Sequence, residues 1–115
     1  MNDLTKPEAI LQPVSAFIDE PGFYPNTIDE TVRIVLHKPL SIGNEAVREI
    51  TITRALTASE EDKAGGLSVL TLQQNKVFSN VVHNVTSPMI TGNMFMQMPG
   101  KDRMAIMRGI LSFFD

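Results

Sequence analysis

Two histidines, His37 and His83, an acidic trio, Glu60-Glu61-Asp62, and a glycine pair, Gly65-Gly66, are the residues whose types suit proton transfer, metal ligation or phosphate binding. None stands in a pattern that performs such chemistry. Two histidines without HExxH-like spacing do not make a zinc site unaided. The glycine pair has neither a GxGxxG pattern nor a Walker lysine and reads as a helix break. The acidic trio falls in ALTASEEDK, where the start of a helix favours negative charge. His83 lies between Val82 and Val85 on an apolar helical stretch, and His37 ends a strand, which suits a surface role. With no cysteine at all, thiolate ligands, cysteine nucleophiles and disulfides are removed, and a reducing compartment fits. The expectation is a protein without catalytic residues, metal or cofactor.

Methionine is the residue type that stands out. From Met89 onward the chain holds six of its seven methionines and three of its six phenylalanines. Met89, Met94, Phe95, Met96 and Met98 fall in MITGNMFMQMPG, which reads as a loop or a single turn. In KDRMAIMRGILSFF, Met104, Met107, Leu111 and Phe114 form a stripe at helical spacing, with Ile106, Ile110 and Phe113 beside it. Methionine is flexible and polarizable, so such a cluster adapts to irregular surfaces and specifies a unique core poorly. Core and partner surface both fit. The candidate partner-binding residues are Met94, Phe95, Met96, Met98, Met104, Met107, Phe113 and Phe114.

The elements that would position them follow from period and punctuation. A chain of 115 residues is one domain of ordinary size. Residues 1–30 carry Pro7, Pro13, Pro21 and Pro25 and read as a proline-rich arm, with one short helix signalled by Thr5, Pro7 and Glu8 and ended by Pro13. The remainder, 31–115, is a single α+β domain: a small N-terminal β-hairpin over 31–54, then a helical half over 57–114 with two main helices. Val32, Ile34 and Leu36 share a face with Ile50 and Ile52 across a Gly43-Asn44 turn, while Arg33, His37, Glu49, Thr51 and Thr53 face water. Pro39 marks an edge strand or a strand end. Thr57 with Glu60 starts a short helix that Gly65-Gly66 stops. LSVLTLQQNKVFSNVVHNVTSP reads as one amphipathic helix with Ser68 as its cap, ended by Ser87-Pro88. The expected core is Ile34, Ile50, Ile52, Leu70, Val77, Phe78, Val81, Val85 and Ile110.

The formal net charge of −3 is uneven, since residues 1–66 carry eleven acids and six bases against two and four in residues 67–115. Without a basic block, nucleic acid is not an expected partner. No apolar run approaches the ~18 residues of a membrane span, and MNDLTKPE has no signal-peptide character, so a soluble cytoplasmic protein is expected. A wide apolar face on the last helix and an edge-prone hairpin favour a homo-oligomer.

Taken in order, IVLHKPLSIGNEAVREITITRALTASE, EEDKAGGLSVLTLQQNKVFSNVVHNVTS and MFMQMPGKDRMAIMRGILSFF resemble the tail assembly chaperones of Mu-like and P2-like tailed bacteriophages. The likeness spans residues 31–114. It lies in a strand with an internal proline and a glycine turn, a second strand leading into an acidic helix near a glycine pair, and a last helix ending in aromatics. Family members carry a longer Leu- and Ala-rich helical half, where this chain has methionine. The resemblance implies a non-enzymatic protein of the host cytoplasm that binds the tape measure protein, helps recruit tail tube subunits and is absent from the virion. The alternative is a small structural tail or baseplate component that stays in the particle.

Overall fold

A computed structural model of the chain describes residues 20–114, and the short helix expected after Thr5 lies outside them. Period-two alternation produces two long antiparallel strands, β2 (Thr31–Ile42) and β3 (Glu45–Ile52). Gly43, at φ +63°, takes the first position of the two-residue turn between them, where a II′ hairpin calls for glycine. Ile34 pairs with Ile50 and Val32 with Ile52, and these four side chains are buried together with Leu36.

The α+β class is therefore present, with a sheet larger than the expected hairpin. Residues Gly22–Asn26 of the span read as an arm form an edge strand, β1, antiparallel to β2. Pro25 lies on it, and an edge strand tolerates a residue without an N–H. A two-residue strand, β4 (Thr86–Ser87), pairs with Thr51 and Ile52 and completes the order β1-β2-β3-β4. Pro39 sits inside β2, where the ladder to β3 breaks. Val35 pairs with Glu49 but Leu40 with Val47, five steps on one strand against two on the other.

The first helix, α1 (Ala58–Lys63), carries the predicted capping box. Thr57 Oγ1 accepts from the Glu60 N–H at 3.2 Å, and the Glu60 carboxylate accepts from the Thr57 N–H at 2.8 Å. Gly65 and Gly66, at φ +102° and +93°, end it.

The helix expected over LSVLTLQQNKVFSNVVHNV is instead three short ones: α2 (Leu67–Leu70), α3 (Asn75–Ser79) and α4 (Val82–Val85). The cap of α2 is Gly66, not Ser68, and α4 ends at Val85, before Ser87-Pro88. Short polar side chains divert the backbone: Thr71 Oγ1 donates to the Ser68 carbonyl at 2.9 Å and Ser79 Oγ to that of Lys76 at 2.7 Å. Gln73, at φ +54°, turns the chain between α2 and α3. Spacings of three and four still direct Leu70, Phe78, Val81, Val82 and Val85 inward, with Val77 half-buried.

The segment expected as a loop or a turn holds α5 (Gly92–Gln97), where Thr91 Oγ1 accepts from the Met94 N–H at 3.1 Å. One long helix remains, α6 (Gly100–Leu111), continued by a 3-10 turn at Ser112–Phe114, and it packs on the sheet. Gly109 sets the approach. A Cβ there would stand 2.9 Å from Ile34 Cδ1 and 3.1 Å from Ile52 Cδ1.

Candidate functional site

Helix α6 grips the sheet through one carboxylate. Asp102, in its first turn, is 0% exposed; its Oδ1 accepts from the His37 backbone N–H at 2.7 Å and its Oδ2 from that of Lys38 at 3.2 Å. His37 Nδ1 lies 3.0 Å from the same Oδ1, and its side chain is 42% exposed. Both N–H groups fall in the ladder break, where β2 bulges away from β3. A carboxylate serves such a cluster because its two oxygens accept several hydrogen bonds at once.

Beside this anchor a cavity of about 730 Å³ opens between β1, His37, the turn at Gln73 and α6. Its apolar wall is Phe23, Met104 and Met107, and its cations are Lys101, Arg103 and Arg108. Arg103 is held in place, its Nε donating to Asn75 Oδ1 at 3.1 Å and its Nη1 to the Met98 carbonyl. Among the described residues Lys101 and Arg108 have no side-chain partner, and both are exposed. Gln73, also among the lining residues, has a buried side-chain oxygen with no hydrogen-bond partner among the described residues, on a backbone at φ +54°. An orphaned buried acceptor and left-handed backbone in a non-glycine residue are each unfavourable, and they coincide here.

The eight residues expected to bind a partner separate by depth. Phe95, Met98 and Met107 are buried in the core; Met94, Met104, Phe113 and Phe114 are half-buried against it; Met96 is 44% exposed. Two of them, Met104 and Met107, line the cavity. Sequence reasoning missed Asp102 as an anchor and Phe23, Gln73 and Arg108 as wall. For Asp102 the only signal was an acid at the start of a helix, which the dipole alone explains. For Arg108 a signal was readable, because positions 101, 104 and 108 share a helix face.

Away from the cavity, Arg54 binds Glu60 through two hydrogen bonds of 2.8 and 3.0 Å. These bonds, with help from the Thr57 N–H and against the cost of burial, lower the Glu60 carboxyl to a pKa of about 2. The ionised form is thereby favoured, which suits a structural clamp and not a proton carrier.

The His37–Asp102 pair resembles the base and orienting acid of a triad, yet among the described residues no hydroxyl hydrogen-bonds the ring. Among the same residues no group of three His, Cys, Asp or Glu could hold a metal ion, and no helix is long and apolar enough to cross a membrane. What the arrangement can do chemically is bind: an apolar wall and two cations without a side-chain partner among the described residues line the same space. Comparison with family models, with curated proteins and with solved structures finds no match to this chain.

Proposed function

We propose that this chain is a tail assembly chaperone of a tailed bacteriophage, a non-enzymatic protein that holds the tape measure protein in the host cytoplasm, helps recruit tail tube subunits and is left out of the virion. The observation that carries the reading is the open groove along α6, where Met104 and Phe23 line the wall and stay partly accessible. A long apolar helical client aggregates unless such a surface shields it. The order of elements supports the same reading: Pro39 within a strand, Gly43 at the turn, acidic α1 before a glycine pair, and α6 running into Phe113 and Phe114.

The client surface in this reading is Met104 with Met94, Met96, Phe113 and Phe114, while Phe95, Met98 and Met107 support it from below. Self-association through the same surface accompanies it. The expected result is that Met96→Ser with Met104→Ser weakens co-expression pull-down of the tape measure protein by about tenfold or more, with the melting temperature within a few degrees of the parent. Undiminished capture with an intact fold overturns the assignment.

A second reading, a small structural component retained in the tail, draws on the outer edge of β3. There Glu45–Ile50 pair only with β2 among the described residues, and free ladder groups can take up a neighbour's strand. Mass spectrometry of purified particles separates the two. A retained component is present at stoichiometric level and a chaperone is absent.

A further inference from the structure

We infer that the groove along α6 recognises an acidic helical segment of a partner protein, one in which an apolar anchor is bracketed by carboxylates about two turns apart. The inference rests on the reading of this groove as a client surface and adds the charge pattern the client must carry.

Lys101, Met104 and Arg108 all line the cavity. Their spacing of three and then four residues puts them on one face of α6, with the two cations about 10 Å apart along the axis and the methionine between them. Among the described residues neither cation is neutralised and no Asp or Glu lines the cavity, although the chain as a whole carries a net charge of −3. The chemistry complementary to cation, apolar side chain, cation is carboxylate, apolar side chain, carboxylate, and a helix supplies it when acids stand seven residues apart around a leucine or methionine. Arg103 is bonded to Asn75 and Met98 and so shapes the wall without being spent on the ligand. Nucleic acid suits the site less well, because a backbone tracked by counterion release needs a longer row of cations.

The test uses the full chain and two synthetic amphipathic helical peptides that differ only at the bracketing positions, Glu in one and Lys in the other. Fluorescence anisotropy is read for the parent, for Lys101→Glu with Arg108→Glu, and for Lys63→Glu, an exposed cation outside the cavity. The expected result is that the Glu peptide binds the parent and the Lys63→Glu variant alike. Its affinity should fall about tenfold or more in the double reversal, and again as salt rises from about 50 to about 300 mM. The Lys peptide should prefer the reversed protein. Equal binding of the two peptides, or equal loss in Lys63→Glu, overturns the inference. So does Glu-peptide binding that appears only after Phe17→Ser and Ile18→Ser, changes to two apolar residues of the proline-rich arm, which would assign the groove to residues 1–19 of the same chain. Tape measure capture that survives the double reversal sinks this inference and leaves the chaperone reading standing; capture lost everywhere while the Glu peptide still binds does the reverse.

Discussion

Asp102 is the side chain that gives the seating of α6 on the sheet its polar joint. Replacing it by alanine takes the shared acceptor away from the His37 and Lys38 N–H groups, so Asp102→Ala should cost about 1–3 kcal/mol in urea titration, and Asp102→Asn, which keeps one acceptor oxygen, roughly half of that. A loss under about 0.5 kcal/mol would mean that water replaces the carboxylate freely. Glu60 makes a different prediction, since its folded pKa of about 2 lies below the unfolded value of 4.5. A depressed carboxylate contributes stability that is complete above pH 4.5 and lost as pH falls toward 2, because the unfolded chain binds the proton first. Melting temperature should fall through that window, and Glu60→Gln should flatten that part of the curve. The two acids also show what a sequence reveals. The role of Glu60 is written within three residues, by Thr57 and the helix start. The donors to Asp102 lie 65 and 64 residues away, and no local pattern points to them.

At the level of elements, Gly109 marks where α6 crosses the sheet. Alanine in a helix interior is ordinarily favoured over glycine by about 1 kcal/mol. Here the added Cβ would meet Ile34, Ile52 and Val32 at 2.9 to 3.2 Å, with the isoleucines and the valine buried, so the helix must lift or the rotamers must change. Gly109→Ala should therefore destabilise the fold by about 1–3 kcal/mol in denaturant titration, and a gain in stability would show that the side chains yield at no cost. The hairpin was legible because period two, a first-position glycine and paired isoleucines agree with one another. The middle helices were legible as a buried face and not as elements. Leu70, Phe78, Val81 and Val85 keep helical spacing, whereas the breaks come from Gln73 and from hydroxyl bonds back to carbonyls, which spacing does not encode. The methionine segment misled in a related way. A capped turn from Thr91 converts an apparent loop into α5, so Phe95 and Met98 point inward while Met96 remains outside.

Across the whole molecule, the sheet and the helical half are joined by apolar contact over Ile34, Ile52 and Gly109, and by a polar joint at Asp102. That joint determines how the protein would breathe. The outer ladder segment, Leu40–Ile42 against Glu45–Val47, lies beyond the break at Leu36–Pro39, and its hydrogen-bonded amides can open with the hairpin tip alone. The amides of His37 and Lys38 sit in the same strand yet are protected by a side chain of α6. Their deuterium uptake should follow undocking of that helix: slow, matched to the amides of Ile106 and Ile110, and accelerated with them by Gly109→Ala, while the outer segment a few residues away exchanges early and ignores the substitution. Two neighbouring stretches of one strand would thus keep different clocks, and the slower one would run on the motion of a helix about 65 residues further along the chain.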